Sequence, residues 1–295
     1  MKPLRSMLFV PGNKPAWMEK ALGYGADALI FDLEDAVPVT DKAAARPMVR
    51  EALEQFHNQG PSLTVRINAL ETGMSGDDLE AIVSPGLSAI VAPKVETPQD
   101  IATLDTLLAQ CEQRAGMAPG QIEIFPTLET AKGIYHAYPI AICSPRVPTL
   151  IGTAGKGGDT ARSLGYIWSK QATETLHIRS KVLLEARAAA CAYPLIASWF
   201  DITDLDGLRD DVRLNRQIGY TGQVVIHPSH VPEVNDIFTP TAEEIAHYQG
   251  LLTAMQDAER RGTAAVTYAG GMVDIAMVKT AQQVLTLARQ IGVID

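Results

Sequence analysis

The sequence has few cysteines, no excess of basic residues and no long apolar run, and each shortage excludes a class of protein. Only three of its 295 residues are cysteines, and Cys111, Cys143 and Cys191 form neither a metal-ligand spacing nor a disulfide framework. Lysine and arginine number 25 against 34 acidic residues, a formal net charge of −9, which argues against broad nucleic-acid binding. No stretch approaches the roughly 20 apolar residues of a membrane span, and the first residues lack the apolar stretch of a secretion signal. We therefore expect a soluble, cytoplasmic protein with reduced thiols.

What the sequence does contain is a regular alternation of strand-like and helix-like segments. With 46% hydrophobic and 20% charged residues, the chain can bury a sizeable core. Continuous apolar strands that alternate with helices are typical of a parallel sheet buried on both faces. Eight such strands favour an α/β fold of the closed (β/α)8, or TIM, barrel type over an open sheet. They are predicted at residues 6–11, 28–33, 62–68, 88–95, 121–128, 149–153, 197–202 and 222–226.

The C-terminal segment of the chain contains none of these eight predicted strands. We predict that the barrel occupies residues 1–235 and that residues 236–295 form a helical extension, with helices over 242–261 and 274–291. Such an extension commonly packs on a neighbouring subunit or covers an active site, so we expect it to be functional.

Charged residues stand at the ends of five strand-like segments in sequence order: 32–35, 65–68, 93–96, 128–130 and 158–160. In a (β/α)8 barrel the catalytic groups come from the carboxyl ends of several different strands. The pattern therefore predicts one charged pocket at the mouth of the barrel.

Glu129 and Asp159 are the candidate metal ligands. Two carboxylates without nearby histidine or cysteine are hard oxygen donors, which suit Mg²⁺, with Mn²⁺ as an alternative. Each residue also has a purely structural interpretation: Glu129 as a favourable charge at a helix N-terminus, and Asp159 as a loop or N-cap aspartate.

Arg66 is the candidate for charge stabilisation. At the end of a strand it would point into the barrel mouth, where it could pair with a protein carboxylate or hold a carbonyl oxygen that becomes an enolate. We expect Asp32, Glu34 and Asp35 to orient Arg66 and Lys94 or to hold metal-bound water rather than to ligate the metal directly. For Lys94, an ion-pair role is favoured over a Schiff-base amine because an ammonium that stays charged is a poor nucleophile.

Taken together, the motifs resemble the citrate lyase β-subunit-like enzymes of the HpcH/HpaI aldolase superfamily, nearest the malyl-CoA and citramalyl-CoA lyase branch. The matching segments span about residues 5–230 in the expected order. They are RSMLFVPG at 5–12, GADA at 25–28, FDLEDAV at 31–37, Lys42 with Ala45 and Arg46, VRIN at 65–68, PKVE at 93–96, ETAKGI at 129–134 and HPS at 227–229.

The resemblance implies a TIM barrel that uses Mg²⁺ to cleave or form a carbon–carbon bond between an acyl thioester and a 2-oxo acid. Glu129 and Asp159 fall on the family's metal ligands, and Arg66 falls on the arginine that stabilises the thioester enolate. The segment GGMVD at 270–274 looks like the C-terminal motif of the CoA-lyase branch. It implies that Asp274 exchanges a proton with the substrate in a neighbouring subunit's site, in a trimer or hexamer. Without the resemblance, Asp274 is equally well an N-cap.

The expected substrate is a small acyl-CoA of the citramalyl-CoA or malyl-CoA type, with CoA as part of the substrate and pyruvate or glyoxylate as the 2-oxo acid. We assign CoA or substrate contacts to Arg66 and to residues near the first strands: Arg5, Phe9, Lys14 and Arg46. The alternatives are a citrate lyase β-subunit acting on citryl-acyl-carrier protein, a class II pyruvate aldolase without CoA, and a binding or scaffold protein without activity.

One departure from the family pattern concerns the segment before Asp159. The family usually has Gly-x-Glu-Asp there, whereas this chain has a glycine-rich loop with Gly158 before Asp159 and an additional Lys156. The loop lacks the spacing of a phosphate-binding P-loop. The change leaves the identity of the 2-oxo acid open.

Overall fold

The computed structural model describes residues 3–263 and 265–294, and the chain divides into two compact units, residues 3–237 and 238–294. The outer limits of the two predicted domains, Met1 and Asp295, lie outside the described residues.

The first unit contains a closed barrel of eight strands, each parallel to its neighbours. Strand β8 pairs with β1 and closes the sheet, which confirms the predicted TIM-barrel class. The strands are β1 (Ser6–Pro11), β2 (Ala28–Asp32), β3 (Ser62–Arg66), β4 (Ala89–Ala92), β5 (Glu123–Leu128), β6 (Ile151–Thr153), β7 (Leu195–Ala197) and β8 (Gly222–Val225).

Helices follow the strands, and the local sequence shows why they begin where they do. Helix α4 begins with a capping box, in which Thr97 accepts from the backbone N–H of Asp100, and with Pro98 in the first turn. Within the described residues, no helix combines the length and apolar character needed to cross a membrane. The helices are α1 (Pro15–Ala21), α2 (Lys42–Phe56), α3 (Ser75–Ile82), α4 (Pro98–Arg114), α5 (Ala131–Tyr135), α6 (Ala137–Ile142), α7 (Gly158–Leu164), α8 (Leu176–Ala188), α9 (Leu205–Ile218) and α10 (His230–Phe238).

Side chains that point inward from the strands fill the barrel interior. Alternate residues of a strand face opposite sides, so the same strands also present apolar residues to the surrounding helices. The interior cluster consists of Leu4, Met7, Ala28, Ile30, Ala89, Val91, Phe125, Ile151, Leu195 and Val224, with Phe9, Tyr193 and Ala197 partly buried against it. The barrel interior is therefore a packed core rather than an open pore.

The second unit contains helix α11 (Ala242–Arg260), strands β9 (Val266–Tyr268) and β10 (Gly271–Val273), and helix α12 (Ile275–Ile291). The two strands form an antiparallel hairpin, which the sequence analysis does not predict. An apolar cluster of Leu251, Met255, Val273 and Ala281 joins the hairpin to both helices. The two predicted helices are therefore present, with a hairpin between them.

The seventh strand lies earlier in the chain than predicted. It covers Leu195–Ala197, whereas the apolar residues of 198–202 form a loop. Trp199 packs edge-on against Trp168, with ring centroids 5.5 Å apart, and Phe200 is exposed. The apolar residues of this loop thus pack outside the sheet. The sequence pattern alone cannot distinguish such a loop from a strand.

A buried ion-pair network holds helix α4 to the segment that precedes β5 and to the turn that carries Arg146. The Arg146 guanidinium donates to both carboxylate oxygens of Glu112, at 2.9 and 2.6 Å, and to Asp105 at 2.6 Å. Burial disfavours the charged form of Glu112, but the hydrogen bonds from Arg146 and from the N–H groups of Ile122 and Gly120 keep the pKa of Glu112 below its usual value. The ionised form of Glu112 therefore stabilises the fold.

We predict that Glu112 makes the stability of the protein depend on pH. Because its pKa is lower in the folded than in the unfolded chain, its contribution is present above the unfolded value of 4.5 and is lost as the pH falls through the folded value. Glu112→Gln should lower the free energy of unfolding by about 3–5 kcal/mol near pH 7, and the difference from wild type should narrow towards pH 3. Urea unfolding at several pH values measures this.

The control is Glu80→Gln, which breaks an exposed pair with Arg114 at 3.4 Å and should cost less than about 1 kcal/mol at every pH. A constant difference between Glu112→Gln and wild type from pH 7 to pH 3 would contradict the assigned role.

Candidate active site

A cavity of about 510 Å³ opens at the carboxyl end of the barrel strands. Charged residues from four of the predicted strand ends line it, and the ammonium of Lys94, from the remaining one, is 3.6 Å from Asp159. The charged residues in the cavity wall are Asp32, Asp35, Arg66, Glu129 and Asp159. The structure therefore brings these residues, which are distant in sequence, to one place.

Arg66 and Asp32 form a bidentate ion pair at the ends of neighbouring strands. They are register partners in β3 and β2, and the guanidinium donates from Nε to Oδ1 at 2.7 Å and from Nη2 to Oδ2 at 2.6 Å. Asp32 is 1% exposed and also accepts from the N–H groups of Glu34 and Ala36. Burial opposes the charge of Arg66, but Asp32 and Glu34 raise its pKa. The guanidinium thus stays charged and fixed in direction.

The Glu34 carboxylate connects this bidentate ion pair to Lys94. One carboxylate oxygen lies 2.9 Å from Nη1 of Arg66, and the other accepts from Nζ of Lys94 at 2.8 Å. Burial raises the pKa of Glu34, although both cations act against this. The pKa of Lys94 is also raised, since its bond to Glu34 and the charges of Glu34 and Asp159 outweigh burial. A charged Lys94 serves in an ion pair rather than as a nucleophile.

Lys94 also holds Glu129 through its backbone. Its φ of +52° lies in the left-handed region, uncommon for a residue other than glycine, and its N–H donates to Oε1 of Glu129 at 2.8 Å. Burial raises the pKa of Glu129 to about 7, and the negative charges of Glu34 and Asp159 add to the effect. A non-glycine residue with a positive φ and a carboxyl group with a raised pKa, both in one cleft, are typical of functional sites.

The donor set in this wall fits a hard divalent cation. Glu129 and Asp159 are carboxylates in the same cavity, and a cation beside Glu129 would favour its ionised form, which burial and the neighbouring carboxylates disfavour. Across residues 3–263 and 265–294, no three His, Cys, Asp or Glu side chains are grouped so that they could hold a metal. With these two carboxylates as ligands, the other coordination positions would fall to substrate and water, as is usual for Mg²⁺.

Lys42 contributes to the site, and the sequence analysis does not assign it a role. It is 7% exposed, and its ammonium donates to the carbonyls of Leu33 at 2.7 Å and Glu34 at 2.8 Å. It thereby fixes the backbone that carries the acidic cluster. The available signal is its place in the first turn of helix α2, where the helix dipole disfavours a cation.

The close approach of two loops explains the glycine at position 12. Its N–H donates to the carbonyl of Asp32 at 2.8 Å, and a Cβ atom there would lie 2.7 Å from that same oxygen. Only glycine allows the segment after β1 to lie against the end of β2. The glycine of the FVPG segment is therefore required by the close packing of the backbone beside the site.

The proposed CoA contacts are placed differently from one another. Phe9 lines the cavity, with the Arg66 guanidinium 4.5 Å from its ring centroid, and Lys14 is exposed at the N-terminus of α1, after β1. Arg46 pairs with Asp78 at 2.8 Å. Arg5 precedes β1 and bonds to Asp27, which precedes β2. Arg5 therefore lies at the end of the barrel opposite this cavity, and its assignment to CoA stays a prediction that the cavity does not support.

Asp274 lies in the second unit, where it caps helix α12. Its carboxylate accepts from the N–H of Ala276 at 2.9 Å. The capping role and a proton-transfer role use the same carboxylate, so the structure of this unit by itself supports the first and leaves the second as a hypothesis.

Comparison with known proteins gives matches over almost the whole chain. The family described as HpcH/HpaI aldolase/citrate lyase matches residues 5–228. Citrate lyase subunit beta of Leuconostoc mesenteroides subsp. cremoris is 34% identical over 99% of this chain and 95% of its own length. The mitochondrial citramalyl-CoA lyase of Rattus norvegicus is 31% identical over 98% of this chain and 87% of its own. The crystal structure of CitE from Mycobacterium tuberculosis with magnesium, acetoacetate and coenzyme A has 29% identity and a TM-score of 0.73, covering 98% of each chain.

We predict that the stability of the barrel mouth depends on the charge of Asp32. Asp32→Asn leaves the buried guanidinium of Arg66 without its main partner and should lower the free energy of unfolding by about 3–5 kcal/mol. Asp35→Asn is the matched control, since this carboxylate is 3.9 Å from the same guanidinium and 69% exposed, and it should cost less than about 1 kcal/mol. Equal losses for the two variants in urea unfolding would contradict the assignment.

Proposed function

Because this chain belongs to the HpcH/HpaI aldolase/citrate lyase family and is a carbon–carbon lyase, we propose that it cleaves a 3-hydroxyacyl-CoA of the citramalyl-CoA or malyl-CoA type. The products are acetyl-CoA and a 2-oxo acid, pyruvate or glyoxylate, and the reaction can run in both directions. The observation that carries the proposal is the clamped guanidinium of Arg66 in one cavity with the carboxylates of Glu129 and Asp159.

Arg66 is suited to hold the thioester oxygen as it becomes an enolate. A guanidinium has five N–H donors. Two of them donate to Asp32, and Nη1 lies 2.9 Å from a carboxylate oxygen of Glu34. At least two donors therefore remain for a substrate oxygen. Their direction is fixed before the reaction, and preorganised donors aimed at developing negative charge are among the largest catalytic effects.

Glu129 and Asp159 would hold the metal, and the magnesium and coenzyme A in the CitE structure from Mycobacterium tuberculosis support this part of the proposal. When bound, Mg²⁺ supplies a Lewis acid for the oxygens of the 2-hydroxy acid end of the substrate. Lys94 keeps both carboxylates in place, through its N–H on Glu129 and its ammonium beside Asp159.

Asp274 is the proposed proton donor to the enolate carbon and, in the reverse direction, the base that removes this proton. The second unit, with the proposed lid role, would bring Asp274 to a neighbouring subunit's site in a homo-oligomer, a trimer or hexamer. Lys14, Phe9 and Arg46 remain proposed contacts for CoA.

A citrate lyase β-subunit that acts on citryl-acyl-carrier protein is the second candidate. It is favoured by the 34% identity to citrate lyase subunit beta of Leuconostoc mesenteroides subsp. cremoris. A need for other subunits would support it.

The proposal is tested by incubating the purified protein with Mg²⁺ and citramalyl-CoA, malyl-CoA or citryl-CoA and measuring release of the 2-oxo acid, with EDTA as control. Metal-dependent release from citramalyl-CoA or malyl-CoA is expected. No release from any thioester would contradict the proposal and direct attention to a carrier-protein substrate, to a pyruvate aldolase without CoA, or to a protein that only binds.

Removal of the Glu129 charge should weaken Mg²⁺ binding. We expect Glu129→Gln to lower the affinity at least about tenfold in calorimetric titration, because one of two protein ligands loses its charge. The matched control is Glu123→Gln at the other end of the same strand, where the carboxylate accepts from Tyr193. Unchanged affinity in Glu129→Gln, or an equal loss in both variants, would contradict the ligand assignment.

The proton-transfer role of Asp274 can be separated from its capping role by Asp274→Asn, since asparagine caps helices as well as aspartate does. Turnover should fall about 10²–10⁴-fold, while CoA and Mg²⁺ affinities and the melting temperature remain unchanged. Asp257→Asn in α11 is the control and should retain full activity. Wild-type turnover in Asp274→Asn would exclude the role.

A further inference from the structure

The loop that leads to Asp159 is rich in glycine, which restrains a backbone poorly. It runs from Thr153, the last residue of β6, to Asp159 in the first turn of α7. Gly157 and Gly158 have φ of +77° and +74°, a conformation that glycine adopts at no steric cost, and ordering glycine costs more backbone entropy than ordering any other residue. The position of Asp159 relative to Glu129 therefore depends on contacts made outside this loop.

One threonine hydroxyl links the two segments that carry the candidate metal ligands. Thr153 Oγ1 donates to the carbonyl of Leu128, the residue before Glu129, at 2.9 Å. The same oxygen is hydrogen-bonded to Oγ1 of Thr160, the residue after Asp159. A hydroxyl has one hydrogen to donate, so Thr160 is the donor in this second bond. The two bonds together connect the end of β5 to the start of α7.

The link is largely enclosed by protein, and a second contact supports it. Thr160 is 4% exposed and Leu128 is fully buried, so loss of the Thr153 hydroxyl would leave buried polar groups without a partner, which is costly. One turn further along α7, Ser163 Oγ accepts from the N–H of Ala131 at 2.8 Å. Residues on both sides of Glu129 are thus bonded to the helix that carries Asp159.

We infer that Thr153 is the positioning residue that sets the separation of the Glu129 and Asp159 carboxylates for a divalent ion. This inference rests on the proposed function, in which these two carboxylates are the metal ligands. Mg²⁺ demands near-ideal octahedral geometry, whereas Ca²⁺ accepts a more flexible arrangement. Loss of the link should therefore weaken Mg²⁺ binding more than Ca²⁺ binding. A residue that served only the stability of the fold would leave this ratio unchanged.

The test is calorimetric titration of Mg²⁺ and, separately, of Ca²⁺ into the full chain. Substrate is left out because Thr153 and Thr160 also line the cavity. Thr153→Val replaces the hydroxyl with a methyl group and should lower the Mg²⁺ affinity at least about tenfold, as the loss of a group that orients a metal ligand does. The Ca²⁺ affinity should fall less than about threefold. Thr153→Ser keeps the hydroxyl and should bind Mg²⁺ within about threefold of wild type.

The matched control is Thr149→Val. Thr149 precedes the same strand at the other end of the barrel, is fully buried, and donates to the carbonyl of Tyr193 at 2.6 Å. This variant should lower the melting temperature without changing the affinity for either ion. Unchanged Mg²⁺ affinity in Thr153→Val, an equal loss in Thr149→Val, or an equal loss for both ions would overturn the inference and leave the ligand assignment standing. If the wild-type chain binds no Mg²⁺, both the inference and the proposed metal site fail.

A double-mutant cycle tests the bond between the two hydroxyls. Thr160→Val removes this bond from the α7 side and should also weaken Mg²⁺ binding. The variant with both substitutions should bind Mg²⁺ about as weakly as Thr153→Val alone, because the effects of two residues that share one hydrogen bond are not additive. If the losses of the two single variants multiply in the double variant, the hydroxyl link does not position Asp159 and the inference is wrong.

Discussion

The pairing of Arg66 with Asp32 is the interaction on which the rest of the site depends. It lies where two adjacent strands end in register, and it involves a charged guanidinium that is largely buried. Such a charge is tolerated only with well-placed partners. Asp32 accepts hydrogen bonds from the guanidinium through both carboxylate oxygens, and Glu34 supplies a further carboxylate. Lys42 binds the backbone carbonyls of Leu33 and Glu34 and so holds this segment in place. The direction of Arg66 is therefore fixed by the barrel itself, independently of any ligand.

Several carboxylates lie around the Arg66 guanidinium, and a second positive charge is needed to offset them. Glu34 and Asp159 are close enough to Glu129 for their charges to add to the effect of burial, which raises its pKa. Lys94 moderates this repulsion from the outside, through an ammonium between Glu34 and Asp159 and an N–H on Glu129. A divalent ion in the cavity would complete the compensation. The proposed metal site and the proposed role of Arg66 thus depend on one distribution of charge.

The sequence predicts the barrel because its signal is local. Apolar strands alternate with helices along the sequence, and the structure contains such helices at Lys42–Phe56 and Pro98–Arg114. Short or loop-like segments are less well predicted. Strand β7 has three residues, and the apolar loop after it resembles a strand because Trp199 packs outside the sheet. The hairpin in the second unit is equally short, and it is stabilised by contacts with α11 and α12 rather than by its own length.

By itself the sequence determined the class of fold, the family, and the residue types at the strand ends, since these depend on periodicity and on short motifs. Only the tertiary structure decided which charges meet. Arg5 and Arg66 are both basic residues beside strands, yet Arg5 bonds to Asp27 at one end of the barrel and Arg66 to Asp32 at the other. The difference arises because strand direction and register, set by all eight strands together, decide which side chains share a cavity. The same register placed Lys42 behind the acidic cluster and Val91, Ile151 and Val224 beneath it, and no local pattern contains that information.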